Sequence, residues 1–399
     1  MSKILFVNGN LHGHVNPTLP VVKELVTQGD EVYYFSTREF RTKLEASGAI
    51  FLDYGEKFDE FIHNFRPHGT HPFYTMMEYM LAFDRIIIPI VVSKTVDIRF
   101  DYMIHDVMFG GGHILGDKLK LPTIASCSSF VMEKPPLPGR MLEPGFHPQL
   151  DYLYEEMKKA EKEWGINDLK ISDIFFLDAP LVLVYTSRLF QPQSDSLDER
   201  FRFVGPSITD RKETIDFPIH NTSEQKLIYI SLGTINNHQT AFYQKCFEAF
   251  SETNYQVILS VGNKTDISSL GTVPDNFIVR NYIPQLEILK KTDVFISHGG
   301  LNSISEALYY GVPVIVIPIA NDQPAVAKRV SELGAGLELR LEEITPTLLR
   351  DSTSTIISNH NYRSHSQELG ESFIRAGGYQ AAVHEIKCFA PQNIPDICI

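Results

Sequence analysis

Cysteine is scarce in this chain: four in 399 residues, at Cys127, Cys246, Cys388 and Cys398. They form no CxxC pair and no dense pattern, which excludes a disulfide scaffold and points to a reducing compartment. Long apolar runs are also missing. The run Ile86 to Val92 falls far short of the roughly twenty residues that a membrane span needs. Ile4–Val7 is too short for the apolar part of a signal peptide and reads as a first strand. Basic clusters are lacking too. Lys and Arg total 36 against 49 Asp and Glu, a net charge of −13, which argues against a nucleic-acid partner. After the first strand stands Asn8-Gly9-Asn10-Leu11-His12-Gly13. That is not the G-x-G-x-x-G of a dinucleotide-binding oxidoreductase. No short-period repeat or low-complexity tract occurs. These absences leave a soluble, cytoplasmic protein of two or three ordinary domains, and 43% hydrophobic residues can supply their cores.

Two halves each alternate strand and helix patterns, which predicts an α/β fold with parallel sheets. In the first half, Ile4–Val7, Val32–Phe35, Ile50–Leu52, Tyr102–Ile104, Thr123–Ala125 and Leu181–Tyr185 read as buried strands. In the second, Leu227–Ser231, Gln256–Val261, Phe277–Arg280, Val294–Ser297 and Val314–Pro318 do. Thr18–Gln28 and Thr240–Ser251 are among the helical patterns between them. Pro192, Pro206 and Pro218 punctuate a linker from Gln191 to about Ser223, with one last apolar run at Phe201–Val204. The domains expected are 1–205, with the linker from about 191, and 221–375. A helical tail, 376–399, is long enough to cross back to the N-terminal half. The Pro- and Gly-rich stretch Glu133 to Pro148 reads as a mobile loop suited to a lid.

The densest cluster of chemistry is Ser297-His298-Gly299-Gly300-Leu301-Asn302-Ser303, followed by Glu306, Pro318, Asp322 and Gln323. It is a strand, a glycine turn, a helix and a second strand, with polar groups at the strand ends, where open α/β sheets bind ligands. Gly299 and Gly300 allow a sharp turn and a close ligand approach. Unpaired N–H groups and the positive dipole end of the following helix suit a phosphate. Asn302 and Ser303 are N-cap residue types that can reach the same phosphate, and His298 can donate to it. Glu306 lies one turn beyond Ser303 on the same side and can accept from vicinal hydroxyls, as on a ribose. Read alone, a glycine turn with Asn-Ser is as often a plain capped turn.

From Tyr282-Ile283-Pro284-Gln285 to Asp322-Gln323, the chain resembles the donor-binding signature of family 1 glycosyltransferases. These are nucleotide-sugar enzymes of GT-B fold, with two Rossmann-like, doubly wound domains facing a central cleft. The resemblance implies that Tyr282 stacks on uracil, where plant members usually carry Trp. It places the Ile283 backbone at the base edge and Gln285 near the ribose. It assigns the diphosphate to His298, Gly300, Asn302 and Ser303, and the ribose to Glu306. Asp322 and Gln323 match the pair that holds the sugar hydroxyls; a terminal Gln goes with glucose transfer. Thr234, in Ser231-Leu232-Gly233-Thr234, matches a further phosphate or sugar contact.

At the first strand end, Gly13-His14-Val15-Asn16-Pro17 sets a histidine before a helix, and an imidazole there can take a proton near neutral pH. A lone His among 14 is more often a surface or capping residue. The segment, however, resembles the acceptor-activating turn of bacterial, macrolide-type members of the family. The resemblance makes His14, not His12, the general base. Its partner is Asp106, at the end of Tyr102-Met103-Ile104-His105-Asp106, which would fix the tautomer. His105 alternates away from Asp106 and reads as a packed histidine.

The activity implied is inverting transfer of glucose from UDP-glucose to a hydroxyl of a small apolar acceptor (a flavonoid, phenol or macrolide), giving a β-glucoside. No cofactor and no metal is implied: no Asp-x-Asp occurs, and His298 with the helix dipole can offset the diphosphate charge. The partners expected are the UDP-sugar and the acceptor, with no nucleic acid and no membrane, on a monomer. Phe73, Tyr74, Met76, Met77, Tyr79 and Met80 form either an adaptable acceptor surface or the buried face of a helix. A non-catalytic nucleotide-sugar-binding protein, a GT-B epimerase and a cell-wall sugar transferase are the rival readings. His14 with Asp106 disfavours them.

Overall fold

The computed structural model describes residues 1–132, 137–175, 179–209, 217, 219, 225–233 and 237–390. The chain divides into two compact units. The first contains Met1–Tyr185, Gln193–Ser207 and the chain from Tyr379 onward; the second contains Thr186–Pro192 and the chain from Ile208 to Gly378.

In the first unit, β1 (Lys3–Val7), β2 (Glu31–Ser36), β3 (Ile50–Asp53), β4 (Tyr102–Asp106), β5 (Thr123–Cys127), β6 (Leu181–Val184) and β7 (Phe201–Phe203) make one sheet. Its order is β3-β2-β1-β4-β5-β6-β7, and every pairing is parallel. Both faces are buried, as an all-parallel sheet requires. Leu5, Val7, Phe35 and Met103 pack toward the long helix Pro72–Thr95 and the helix Pro148–Trp164. Ile4, Phe6, Val32, Tyr34 and Ile104 pack on the opposite face. That double burial is why these strands read as apolar runs in the sequence.

The helix Gly378–Phe389 places Ala382, Val383 and Ile386 in this second face. Burying Val383 and Ile386 contributes about 3–6 kcal/mol. Lys387 pairs with the buried Asp30, which also accepts from the Ser2 N–H at 2.9 Å. The apolar run at Phe201–Val204, which its flanking prolines assign to a linker, forms the edge strand β7 because Phe201 and Val204 bury in the first unit.

In the second unit, β8 (Lys226–Ser231), β9 (Tyr255–Ser260), β10 (Phe277–Arg280), β11 (Val294–Ser297), β12 (Val314–Val316) and β13 (Gly336–Glu338) form a second parallel sheet. The order is β10-β9-β8-β11-β12-β13. Ile228, Ile230, Val294, Ile296 and Ile315 bury on one face. Tyr229 and Phe295 stack on the other, with ring centroids 4.9 Å apart. The helical tract after Thr345 resolves into Pro346–Ser358, His360–Ala376 and Gly378–Phe389, broken at Asn359 and at the left-handed Gly377. Among the described residues, no helix is long and apolar enough to cross a membrane.

Candidate active site

Each sheet reverses its strand order once, and His14, Asp106 and His298 are carried at the strand ends of those two places. In the first sheet β1 lies beside β4; in the second, β8 lies beside β11. Connections leaving such neighbours run to opposite faces and open a crevice at the strand ends. Val7 pairs with His105, so Asn8 and Asp106 leave the first sheet side by side. Ser231 pairs with Ser297, so the Gly233 turn and the His298-Gly299-Gly300 turn leave the second sheet together.

At the first switch point, His14 sits in the four-residue helix His12–Val15. Its Nδ1 lies 2.9 Å from Asp106 Oδ2 and 3.0 Å from Oδ1. The Asp106 side chain is 1% exposed and that of His14 15%. The Met108 N–H also donates to Asp106 Oδ1, at 2.8 Å, which orients the carboxylate. The turn carrying His14 is held by polar groups that sequence reasoning passed over. The fully buried Asn8 donates from Nδ2 to the His14 carbonyl (3.2 Å) and to Tyr34 Oη (2.8 Å). Tyr54 donates to the Asn8 carbonyl at 2.7 Å, Ser36 to the Gly9 carbonyl at 2.9 Å and Thr18 to the Val15 carbonyl at 2.8 Å. The only local signal for this scaffold was an Asn at a strand end. His12 packs edge-on to Phe40, away from this arrangement. His105 is buried, with Nδ1 3.3 Å from the Asp106 carbonyl oxygen; burial pulls its pKa down to about 4.

At the second switch point, glycines make room for His298. A Cβ on Gly233 would lie 2.5 Å from His298 Cε1, and one on Gly300 would lie 2.7 Å from Nε2. Gly233 and Gly299 also hold φ of +76° and +92°, a region that favours glycine. Burial lowers the His298 pKa to about 4. Near pH 7 the ring is therefore neutral in the ligand-free chain. There it offers a hydrogen bond rather than a charge.

The helix after the turn spans Leu301–Tyr309, and its N-cap is Gly300. Asn302 and Ser303 thus lie in the first turn, not at the cap, because Gly300 alone makes the change from extended to helical backbone. Gln285 Nε2 donates to Glu306 Oε2 at 2.6 Å and lies 3.5 Å from Ser303 Oγ. Its own Oε1 accepts from Tyr229, a buried residue the sequence did not single out, at 3.3 Å. Gln285 therefore braces the Glu306 carboxylate. Tyr282 is 61% exposed, whereas Ile283 buries its side chain. Asp322 is the N-cap of the helix Gln323–Glu332, and Gln323 is buried. Thr234 lies outside the described residues.

Of the two readings of the segment from Phe73 to Met80, burial favours one. Phe73, Tyr74, Met77 and Met80 are buried in the first unit's core, with Met76 and Tyr79 packed against it. The segment is chiefly a core-facing helix. Within the Pro- and Gly-rich stretch, Tyr74 donates to the Met141 carbonyl and Tyr154 to the Leu142 carbonyl, each at 2.6 Å. Residues 133–136 of that stretch lie outside the described residues.

The sequence profile of the Erythromycin biosynthesis protein CIII-like, C-terminal domain family matches residues 244–382. The chain is 36% identical over 377 residues to the uncharacterized UDP-glucosyltransferase YdhE of Bacillus subtilis (strain 168), covering 94% of each. It is 33% identical to the NDP-glycosyltransferase YjiC of the same organism, covering 98% of each. Among solved structures, the glycotransferase of kitacinnamycin superposes with a TM-score of 0.85 at 28% identity, over 97% of this chain and 98% of that one. The calicheamicin glycosyltransferase CalG4 shares the fold, with a TM-score of 0.86 at 24% identity, over 99% of this chain and 100% of that one.

Proposed function

The chain belongs to the family 1 glycosyltransferases of GT-B fold, and on that premise we propose that it transfers glucose from UDP-glucose to a hydroxyl of a small apolar natural product or phenol, with inversion. The observation that carries the catalytic part is the buried Asp106 carboxylate on His14 Nδ1 at 2.9 Å. With Nδ1 turned to Asp106, Nε2 is the nitrogen that takes the acceptor proton. The acceptor oxygen then bonds to the anomeric carbon, the bond from that carbon to the phosphate oxygen breaks, and UDP leaves with the electron pair. The proton ends on His14, whose imidazolium Asp106 stabilises. Attack from the face opposite the leaving group turns an α-linked donor into a β-glucoside.

On the donor side, Tyr282 stacks on the uracil, the Ile283 backbone meets the base edge, and Glu306, braced by Gln285, accepts from the ribose. The diphosphate lies at the N-terminus of the helix Leu301–Tyr309, where the Gly300 turn, Asn302, Ser303, His298 and Thr234 bind it. The positive dipole end of the helix suits an anion, and fixed dipoles aimed at a leaving diphosphate lower the barrier. Asp322 and Gln323 hold the sugar. The reaction needs no metal. Two relatives named as a UDP-glucosyltransferase and an NDP-glycosyltransferase support a nucleotide-sugar donor, and the first of them supports glucose. The test is incubation with UDP-glucose and a panel of phenols, flavonoids and macrolides, with mass detection of an added hexose and NMR of the anomeric proton. An α-glucoside would overturn inversion, and no hexose on any acceptor, from any UDP- or dTDP-sugar, would overturn the reading.

A further inference from the structure

Gln323 opens the helix Gln323–Glu332, yet its side chain turns back along the chain. Its Oε1 accepts from the Ile319 N–H at 2.8 Å and from the Ala320 N–H at 2.9 Å. These amides lie just past the sheet, whose last rung here is the Ile317 N–H to the Ser297 carbonyl at 2.7 Å. Asn321, next in line, holds a left-handed φ of +58°, and Asp322 follows as the N-cap. On its other side Gln323 abuts the glycine turn: a Cβ on Gly299 would lie 3.5 Å from Gln323 Cβ. One buried side chain therefore lies between the 319–320 backbone and the glycine turn. Two N–H donors on Oε1 also settle which end of the amide is which, a choice that only hydrogen bonding can make.

We propose that Gln323 is a positioning residue: its Oε1 clasps the Ile319–Ala320 backbone, holds Asn321 left-handed and thereby sets Asp322 for the donor sugar. The last clause rests on the donor-site reading above; the clasp itself does not. The clasp separates two properties that one motif residue would otherwise merge. Shaping the turn uses the side-chain oxygen, whereas anything Gln323 offers a ligand comes from Nε2 and is a donated hydrogen bond.

Three variants test this. Gln323→Glu keeps an acceptor at the same reach, Gln323→Met removes it, and Gln323→Asn keeps the amide but falls one carbon short. In the ligand-free protein, amide hydrogen exchange at Ile319 and Ala320 is expected to quicken about tenfold or more in Gln323→Met and Gln323→Asn, the scale of one lost hydrogen bond per amide. In Gln323→Glu it stays within about threefold of the parent. The preference for UDP-glucose over UDP-galactose, as a ratio of kcat/KM, is expected to fall about tenfold in the first two variants, while UDP affinity changes less than about threefold. Unaltered exchange in both Gln323→Met and Gln323→Asn would refute the clasp. Faster exchange with an unchanged sugar ratio would refute its role in setting Asp322. If the parent protein neither binds UDP nor transfers a sugar, the proposed function fails, and the exchange data still judge the clasp. Should Gln323→Met not fold, Gln323→Asn against Gln323→Glu decides alone.

Discussion

Asp106→Asn is the sharpest test of the catalytic assignment, because the substitution is nearly isosteric and its cost can be worked from the geometry. In the parent, a buried carboxylate faces His14 Nδ1 with both oxygens, at 2.9 and 3.0 Å. At an effective dielectric near 20, opposite unit charges at that separation attract by about 6 kcal/mol. If half the imidazolium charge has developed in the transition state, about 3 kcal/mol of stabilisation disappears with the carboxylate, roughly a hundredfold in rate. The amide adds a second penalty. The Met108 N–H already donates to Asp106 Oδ1 at 2.8 Å, so an asparagine keeps its oxygen there and turns its NH2 to His14. Nδ1 must then accept, the proton moves to Nε2, and the base is lost. The combined expectation is a fall in kcat of about 10²–10⁴-fold. UDP affinity by calorimetry should change less than about threefold, since the donor residues are elsewhere. Initial rates with a fixed phenolic acceptor and saturating UDP-glucose give the measurement. A variant that keeps more than about a third of the parent kcat would refute the His14–Asp106 assignment.

His14→Ala should bind UDP normally and turn over at least about 100-fold more slowly; unchanged turnover would remove His14 as the base. EDTA should leave transfer intact, and complete loss restored by Mn²⁺ would contradict the metal-free mechanism. His105 gives a pH signature. Its folded pKa is depressed to about 4 from an ordinary 6.5, so the unfolded chain binds a proton that the folded chain refuses. Stability is therefore full above about pH 6.5 and lost progressively down to about pH 4, by about 2 kcal/mol at pH 5. His298, shifted the same way, adds to the slope. Urea unfolding at pH 7.5 and pH 5 should show a smaller difference for His105→Asn than for the parent; an identical difference would mean that His105 titrates normally. Gly300→Ala should weaken UDP binding by displacing the His298 ring, and parent-like affinity would show that the ring has room to move.

The strands were readable because parallel strands buried on both faces must be apolar throughout. Ile4–Val7 and Val294–Ser297 announce themselves in that way. β13 did not, since Gly336-Leu337-Glu338 is a short edge strand with one large apolar residue. β7 was obscured by the prolines around it. The glycine box was legible because its residues are contiguous and its physics is local: strand end, turn, helix start. His14 and Asp106 stand 92 positions apart, and only resemblance to a known family joined them. The supports were out of reach. Nothing local in Tyr34, Tyr54 or Tyr229 says that its hydroxyl will meet Asn8 or Gln285. Those hydrogen bonds exist only once distant strands pair in register. The N-cap expectation missed for a related reason: Asn302 and Ser303 have the right chemistry, but the cap is Gly300, two residues before Asn302.

The helix Gly378–Phe389 carries a consequence for how the protein is made. It completes the face built by β1, β2 and β4, and its Lys387 supplies the partner of buried Asp30. Residue 30 leaves the ribosome more than 350 residues before residue 387. Throughout that interval the N-terminal sheet has one face covered only in part, by the early helices that carry Val21, Val22, Leu25 and Leu44, and Asp30 lacks its Lys387 partner. The missing burial of Val383 and Ile386 alone is worth about 3–6 kcal/mol, a large share of a domain's stability. The unit that begins the chain thus becomes stable last. A nascent protein stopped short of this helix should be held by chaperones or degraded, even though the other unit is already whole.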